Sequence, residues 1–150
     1  MHNPATSVTV EVNRTTPGDI ERYLKRHSGD FSPPFATGRN LAEYAVKLCT
    51  HARRYEIWHA GELDALMAVY LNEGEGKAYV PYICTAGARS AERGLGSLLL
   101  ARLLSLPLPY RTIELEVRKT NPAAVNLYKK FNFVPVSDTG EKLLMRLTIN

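Results

Sequence analysis

The stretch Arg89-Ser90-Ala91-Glu92-Arg93-Gly94-Leu95-Gly96-Ser97 holds the residue types that grip phosphate. A strand pattern precedes it and a leucine-rich helix pattern follows. Glycine lets the backbone approach an anion closely, and the unpaired amides of a helix start point at it. The segment lacks the Gly-Lys-Ser/Thr of a nucleoside-triphosphate loop. Its glycine spacing is not that of a dinucleotide fold, and the strands before it read as antiparallel. Taken alone it also reads as a tight turn between solvated arginines. A second segment runs from Asn121 to Phe133. Asn121 suits an N-cap and Pro122 follows it. Ala124, Leu127, Tyr128 and Phe131 line one helical face, and Asn132 stands where a left-handed C-terminal residue belongs. Taken alone, this is a well-capped helix.

The elements that must position these segments follow from periodicity. Val8 to Val12 alternates as a half-buried strand does. Thr16-Pro17-Gly18-Asp19 starts a helix: threonine caps it, proline takes its first turn and the acid suits its positive end. Ile20, Tyr23, Leu24 and His27 recur at helical spacing, and Ser28-Gly29-Asp30 ends the run. Phe31 to Gly38 is a loop. Asn40 and Glu43 form a capping-box pattern before a face of Leu41, Tyr44, Ala45, Leu48, Cys49 and Ala52. Tyr55–His59, Ala65–Leu71 and Ala78–Thr85 are strands joined by short turns, which predicts an antiparallel meander. A helix from Gly94 to near Ser105, a strand Thr112–Val117, a helix Asn121–Phe131 and strands Phe133–Val136 and Leu143–Ile149 complete the order β-α-α-β-β-β-α-β-α-β-β. The fold class is α/β in the α+β sense, a mixed sheet with helices on both faces. Its middle strand–turn–helix–strand segment is expected to be a right-handed parallel crossover.

Together the two segments resemble the GNAT superfamily of acetyl-coenzyme A-dependent N-acetyltransferases. That family has an Arg/Gln-x-x-Gly-x-Gly/Ala turn after its fourth strand, then a Leu-Glu-Val strand, an asparagine, and a helix ending in Leu-Tyr-x-x-x-Gly-Phe. This chain has Gly94-Leu95-Gly96, then Leu115-Glu116-Val117-Arg118, Asn121, Leu127-Tyr128 and Asn132-Phe133. The close resemblance spans about residues 78–137, and the element order agrees along the whole chain. Two positions depart from the pattern. Ala91 stands at the family's Arg/Gln position, which removes a side-chain contact that Arg89 or Arg93 would have to replace. Asn132 stands for glycine, a mild change because asparagine tolerates the left-handed region.

The resemblance implies a fold with a splayed central sheet and acetyl-coenzyme A as co-substrate. It places the cofactor against Ile83, Cys84, Thr85, Ala91, Glu92, Arg93, Gly94, Leu95, Gly96, Ser97, Asn121 and Tyr128. Acetyl transfer to an amine needs a neutral amine, a stabilised oxyanion and a proton for the departing thiolate. Tyr128 matches the family's general acid, and a phenol near ~10 keeps its proton at neutral pH. It also lies on the apolar face, where a core aromatic would sit. Glu116 falls twelve residues before Tyr128, the spacing of the general base in the ribosomal-protein branch of the family. An ordinary glutamate near ~4.3 needs a raised pKa or a water relay to act so. A cross-strand ion pair is the competing reading of Glu116. Tyr79, Tyr82 and His51 are weaker candidates for the base. The oxyanion donor is expected on the fourth strand around Ile83 to Ala86. Cys84 carries no sign of an activated thiolate, so direct transfer in a ternary complex is expected.

Acceptor determinants in the family lie in the first two helices and their loop. Here that loop is Phe31-Ser32-Pro33-Pro34-Phe35, which would either wall a pocket or plug the core. Phe31, Phe35 and Tyr82 are the expected acceptor contacts, with Tyr44, His51, Arg53 and Arg54 nearby in sequence. A small amine such as an amino sugar is favoured. A peptide N-terminus and a non-catalytic coenzyme A- or partner-binding module are the alternatives, the last suggested by Ala91.

Bulk composition bounds these readings. With 150 residues, one domain spanning 1–150 is expected. Basic residues number 19 against 15 acidic ones and are dispersed, so no nucleic-acid surface is implied. Cys49 and Cys84 have no partner at metal-ligand spacing and read as buried thiols, so no metal is expected. The sequence shows no signal-peptide or membrane-spanning run, and a cytoplasmic protein without membrane contact is expected. A homodimer is compatible with the resemblance.

Overall fold

Thr16 and Asp19 close a reciprocal cap, the Asp19 amide donating to Thr16 Oγ1 (3.2 Å) and the Thr16 amide to Asp19 Oδ2 (2.9 Å). The acid therefore does more than face a helix dipole: it satisfies an amide that the helix start leaves unpaired. The computed structural model describes residues 9–27, 40–72, 74–84, 94–105 and 111–149. This cap opens α1 (Pro17–His27), which follows β1 (Val10–Val12). Asn40 caps α2 (Leu41–His51) through its Oδ1, which accepts from the Glu43 amide at 3.1 Å.

The strands β2 (Arg53–His59), β3 (Glu62–Asn72) and β4 (Lys77–Cys84) form the expected antiparallel meander. The β2–β3 turn is tighter than the sequence suggests. Ala60 (φ 50°) and Gly61 (φ 80°) are both left-handed, the geometry of a two-residue hairpin whose twist matches its strands, so Glu62 already belongs to β3. Then come α3 (Leu95–Leu104), β5 (Thr112–Arg118), α4 (Pro122–Lys130), β6 (Val134–Asp138) and β7 (Lys142–Thr148). Among the described residues the order β-α-α-β-β-β-α-β-α-β-β is the expected one, with strand ends moved by a few residues. Val8 and Thr85, read as strand ends, lie outside the described residues.

One seven-stranded sheet results, in the order β1-β2-β3-β4-β5-β7-β6, with β4 and β5 its parallel pair. Alternation sorts its side chains to two faces. Leu95, Leu99, Leu100 and Leu103 of α3 and Val125 and Tyr128 of α4 pack on one face against Met67, Val80, Ile113, Leu115 and Met145. Ile20, Tyr23 and Leu24 of α1 and Ala45 and Leu48 of α2 cover the other face against Leu63, Leu66 and Ala68. Each fully buried leucine contributes about 1.5–3 kcal/mol of transfer free energy.

The connection from β1 into α1 is tied to β2 by a buried carboxylate. Glu56, fully buried, accepts from the Arg14 amide (3.1 Å), the Thr15 amide (2.9 Å), Thr15 Oγ1 (2.5 Å) and Trp58 Nε1 (3.1 Å). Buried Arg54 stands 3.7 Å away and donates to the carbonyls of Cys49, Ala52 and Thr15. Cys49 is half-buried rather than buried as expected, because it sits at the margin of this polar network with its thiol 3.7 Å from the Thr15 carbonyl. The Cys84 side chain lies outside the described residues.

Candidate active site

The sheet opens between β4 and β5. The two strands pair in parallel from Lys77–Thr112 to Val80–Leu115, and there the pairing stops. Both strands continue. β4 stays joined to β3 through Tyr82–Ala68, Ile83–Met67 and Cys84–Leu66, while β5 stays joined to β7 through Glu116–Leu144, Val117–Leu143 and Arg118–Lys142. Pro81 supplies a physical cause. It has no N–H for a ladder, and it lies in the bulge where Val80 and Pro81 together face Val69. The splay thus leaves two inner strand edges whose peptide groups do not pair each other. Such an edge can hydrogen-bond an extended ligand arm.

On the face shared with α1 and α2, Tyr79 Oη donates to Glu116 Oε1 at 3.1 Å, beside the last paired rung. Burial, then the Glu116 charge and this bond, pushes the Tyr79 phenol up to about 12. Glu116 is exposed. The competing reading of Glu116, a cross-strand ion pair, belongs instead to Glu114 two residues earlier, which binds Arg146 across β7 through Nε (2.7 Å) and Nη2 (2.5 Å). Among the described residues Glu116 makes no ion pair. Tyr70 stands directly opposite Tyr79 on β3, and among the described residues its buried hydroxyl has no hydrogen-bond partner. Burial raises its pKa as well. The Tyr44 phenol of α2 also bears on Tyr79. Three phenols and one carboxylate therefore gather beside the splay.

Tyr128 lies on the opposite face, inside the core that α3 and α4 cover. Only 7% of it is exposed, and burial pushes its phenol up to about 12. Among the described residues nothing hydrogen-bonds its hydroxyl. The helix end fixes its place. The Phe133 amide donates to the Tyr128 carbonyl (3.0 Å), the Asn132 amide to the Lys129 carbonyl (2.9 Å), and Asn132 takes φ 73°. This is the Schellman arrangement, with the Tyr128 and Phe133 rings 6.1 Å apart as its apolar contact. The buried stripe centres on Val125 and Tyr128, with Ala124, Leu127 and Phe131 at its margins. Asn121 caps α4 by accepting from the Ala124 amide at 3.2 Å, which leaves its amide NH2 group for other use.

Gly94 caps α3 in the left-handed region (φ 66°), and among the described residues a Cβ there would meet nothing within 4 Å. The need for glycine is conformational, not steric. The first helical bond runs from the Leu98 amide to the Gly94 carbonyl, so the amides of Leu95, Gly96 and Ser97 have no acceptor in the helix and suit an anion. Gly96 is buried and lets α3 lie close to the core.

The structure thus brings together Glu116, Tyr79 and the end of β4, with Tyr128 and Asn121 on α4 nearby in the chain. Thr85, Ala91, Glu92, Arg93, Phe31 and Phe35 lie outside the described residues, as does the side chain of Tyr82. Ile83 is half-buried on the unpaired part of β4. His51 is exposed at the end of α2, about 10 Å along the helix from Tyr44. Sequence reasoning overlooked Tyr70, because its place opposite Tyr79 depends on the β3–β4 register across a bulge. Among the described residues no group of three or more His, Cys, Asp or Glu could hold a metal ion, and no helix is long and apolar enough to cross a membrane.

No protein-family model matches the sequence, and no curated protein matches it significantly. Solved structures do match the fold. Ard1 from Thermoplasma volcanium aligns with a TM-score of 0.72 at 20% identity, covering 94% of this chain and 98% of that one. NAA60 from Arabidopsis thaliana, in complex with a bisubstrate analogue, aligns with a TM-score of 0.72 at 20% identity, covering 95% and 99%. A chimera of the spermidine N-acetyltransferase SpeG from Vibrio cholerae with hSSAT aligns with a TM-score of 0.68 at 19% identity, covering 93% and 95%. The architecture is the GNAT fold, as the sequence resemblance implied.

Proposed function

We propose that this chain is an N-acetyltransferase that takes the acetyl group of acetyl-coenzyme A to a primary amine by direct attack in a ternary complex. The observation that carries the reading is the parting of β4 from β5, with Glu116 on one face of the opening and Tyr128 on the other. An acyl donor and an amine can enter such an opening from opposite faces. The GNAT fold supports the reading, and so does Arabidopsis NAA60, solved in complex with acetyl-CoA.

The residues fit the cofactor. The unpaired amides of Leu95, Gly96 and Ser97 receive its pyrophosphate, and the inner edge of β4 receives its arm. Ile83, Cys84 and Asn121 are further contacts. The bound thioester supplies the activated acetyl group. Glu116, oriented by Tyr79, takes the proton of the acceptor amine directly or through water. A backbone amide on the unpaired part of β4 steadies the developing oxyanion. Tyr128 Oη, held protonated by burial, gives its proton to the departing sulfur.

Calorimetric titration with acetyl-coenzyme A, followed by thiol-release assays over an amine panel, tests this. Saturable one-to-one binding with amine-dependent thiol release is expected. Absence of binding at millimolar ligand would show that Ala91 has cost the site its cofactor, and the chain would then be a partner-binding module on the same fold.

A further inference from the structure

Next to Glu116 the acceptor face changes sign. By register Glu114–Arg146, Glu116–Leu144 and Arg118–Lys142 lie in successive pairs on this one face, because their odd-numbered neighbours Leu115, Val117, Leu143 and Met145 serve the opposite core. The first pair is neutralised by its own ion pair. The last sets two cations directly opposite each other, an arrangement that destabilises a sheet when nothing anionic lies between them. Among the described residues Arg118 pairs only with Glu141, at 4.0 Å, and that carboxylate is 87% exposed, so it screens little. Among the described residues Lys142 has no ion-pair partner. Both cations are half-buried, and they stand at the splayed end of β5, one alternation beyond Glu116.

We propose that the acceptor is a small primary amine carrying an anionic group, a carboxylate or a phosphate, which Arg118 and Lys142 hold while Glu116 receives the amine. The inference rests on the acetyltransferase reading and narrows its acceptor. Two strand residues span roughly 6.6 Å, so the anion lies about four to six bonds from the nitrogen. Guanidinium and ammonium together neutralise either anion, and the guanidinium gives it paired donors. A polyamine fits poorly. Its second ammonium would meet Arg118 and Lys142, and of the neighbouring carboxylates Glu114 is already held by Arg146 while Glu141 already faces Arg118 and is largely in solvent.

The test uses the full chain with acetyl-coenzyme A and two matched pairs of amines. One pair is 5-aminopentanoate and 5-aminopentanamide; the other is 3-aminopropyl phosphate and 3-aminopropanol. The anionic member of at least one pair should show kcat/KM at least about tenfold higher, and the pair that responds identifies carboxylate or phosphate. Salt should erode the preference. The Arg118→Gln/Lys142→Gln double variant, its fold checked by circular dichroism, should abolish the preference and leave the neutral amine within about twofold. Equal rates within both pairs, faster turnover of spermidine, or equal losses for charged and neutral amines in the double variant would overturn the proposal while leaving acetyl transfer intact. Cofactor binding without thiol release from any amine would remove the enzymatic reading and this one with it.

Discussion

Tyr79 donates to Glu116 across the last paired rung of β4 and β5, so the residue that orients the carboxylate belongs to the strand that then parts from it. The bond holds one carboxylate oxygen, and in the proposed reaction the other meets the incoming amine. Glu116→Gln keeps an acceptor for Tyr79 but cannot take a proton, and kcat/KM should fall about 100-fold or more. Tyr79→Phe should cost about three- to tenfold, since the base remains but is less well oriented. The double variant should match Glu116→Gln alone, because residues that act as a unit are not additive. Steady-state kinetics on the three variants decides it; independent, additive losses would separate Tyr79 from the function of Glu116.

Tyr128 invites a cleaner separation of chemistry from stability. Among the described residues its hydroxyl has no hydrogen-bond partner, so Tyr128→Phe removes no known bond and leaves the ring packing of Phe133 in place. Folding free energy should stay within about 0.5 kcal/mol, and acetyl-coenzyme A affinity should be kept. Turnover should drop by about 10² to 10⁴ if the phenol protonates the leaving sulfur. Unchanged turnover in the same assay would reduce Tyr128 to a core aromatic.

Much of this was legible in the sequence where the signal is local. Thr16-Pro17-Gly18-Asp19, Asn40 with Glu43, and Asn121-Pro122 announce helix starts because a cap is a matter of three or four consecutive residues. Asn132 announced its left-handed turn in the same way. What sequence could not supply was cross-strand register. Whether Glu114 or Glu116 takes the arginine depends on which lies opposite Arg146, and one alternation decides it. Tyr70 meets Tyr79, and Arg118 meets Lys142, only through pairings of residues far apart in the chain. The Glu56 network was missed for the same reason: its partners Arg14 and Thr15 come from some forty residues away.

The raised phenols make an alkaline stability prediction. Tyr79 and Tyr128 move from the ordinary value of 10.0 to about 12. Between these values the unfolded chain releases protons that the folded chain retains. Their contribution is therefore intact below pH 10 and is lost as pH rises through 12. For buried Tyr128 the loss is about 2–3 kcal/mol across that window; Tyr79 is more accessible to solvent and contributes less. Urea unfolding at intervals from pH 9 to 12 should show the decline, and Tyr128→Phe should flatten it. A variant with the parental slope would place the titration elsewhere.

Glu56 should matter to folding and not to chemistry. It takes hydrogen bonds from Arg14, Thr15 and Trp58 with Arg54 alongside. Glu56→Ala leaves those donors unmatched and strands a buried guanidinium beside a cavity, a cost of about 3–5 kcal/mol. Hydrogen exchange at the Arg14 and Thr15 amides should accelerate most, since each donates to this carboxylate. Denaturant unfolding below about 1 kcal/mol of loss would mean that water replaces the network readily.

Asn132 offers a gain. It holds φ 73° so that the Schellman bonds of α4 can close, and it is exposed, so its side chain packs against little. Glycine reaches this region without the Cβ clash that asparagine only partly avoids. Asn132→Gly should therefore stabilise the fold by a few tenths to about 1 kcal/mol, although glycine also raises the entropy of the unfolded chain and subtracts from that gain. Asn132→Ala, which keeps the Cβ and lacks the amide that helps asparagine adopt the conformation, should cost about 1 kcal/mol. Thermal unfolding of the three proteins gives the ranking Gly, Asn, Ala. A ranking with alanine first would show that α4 ends some other way in solution, and with it that Tyr128 is not held where the proposed proton transfer needs it.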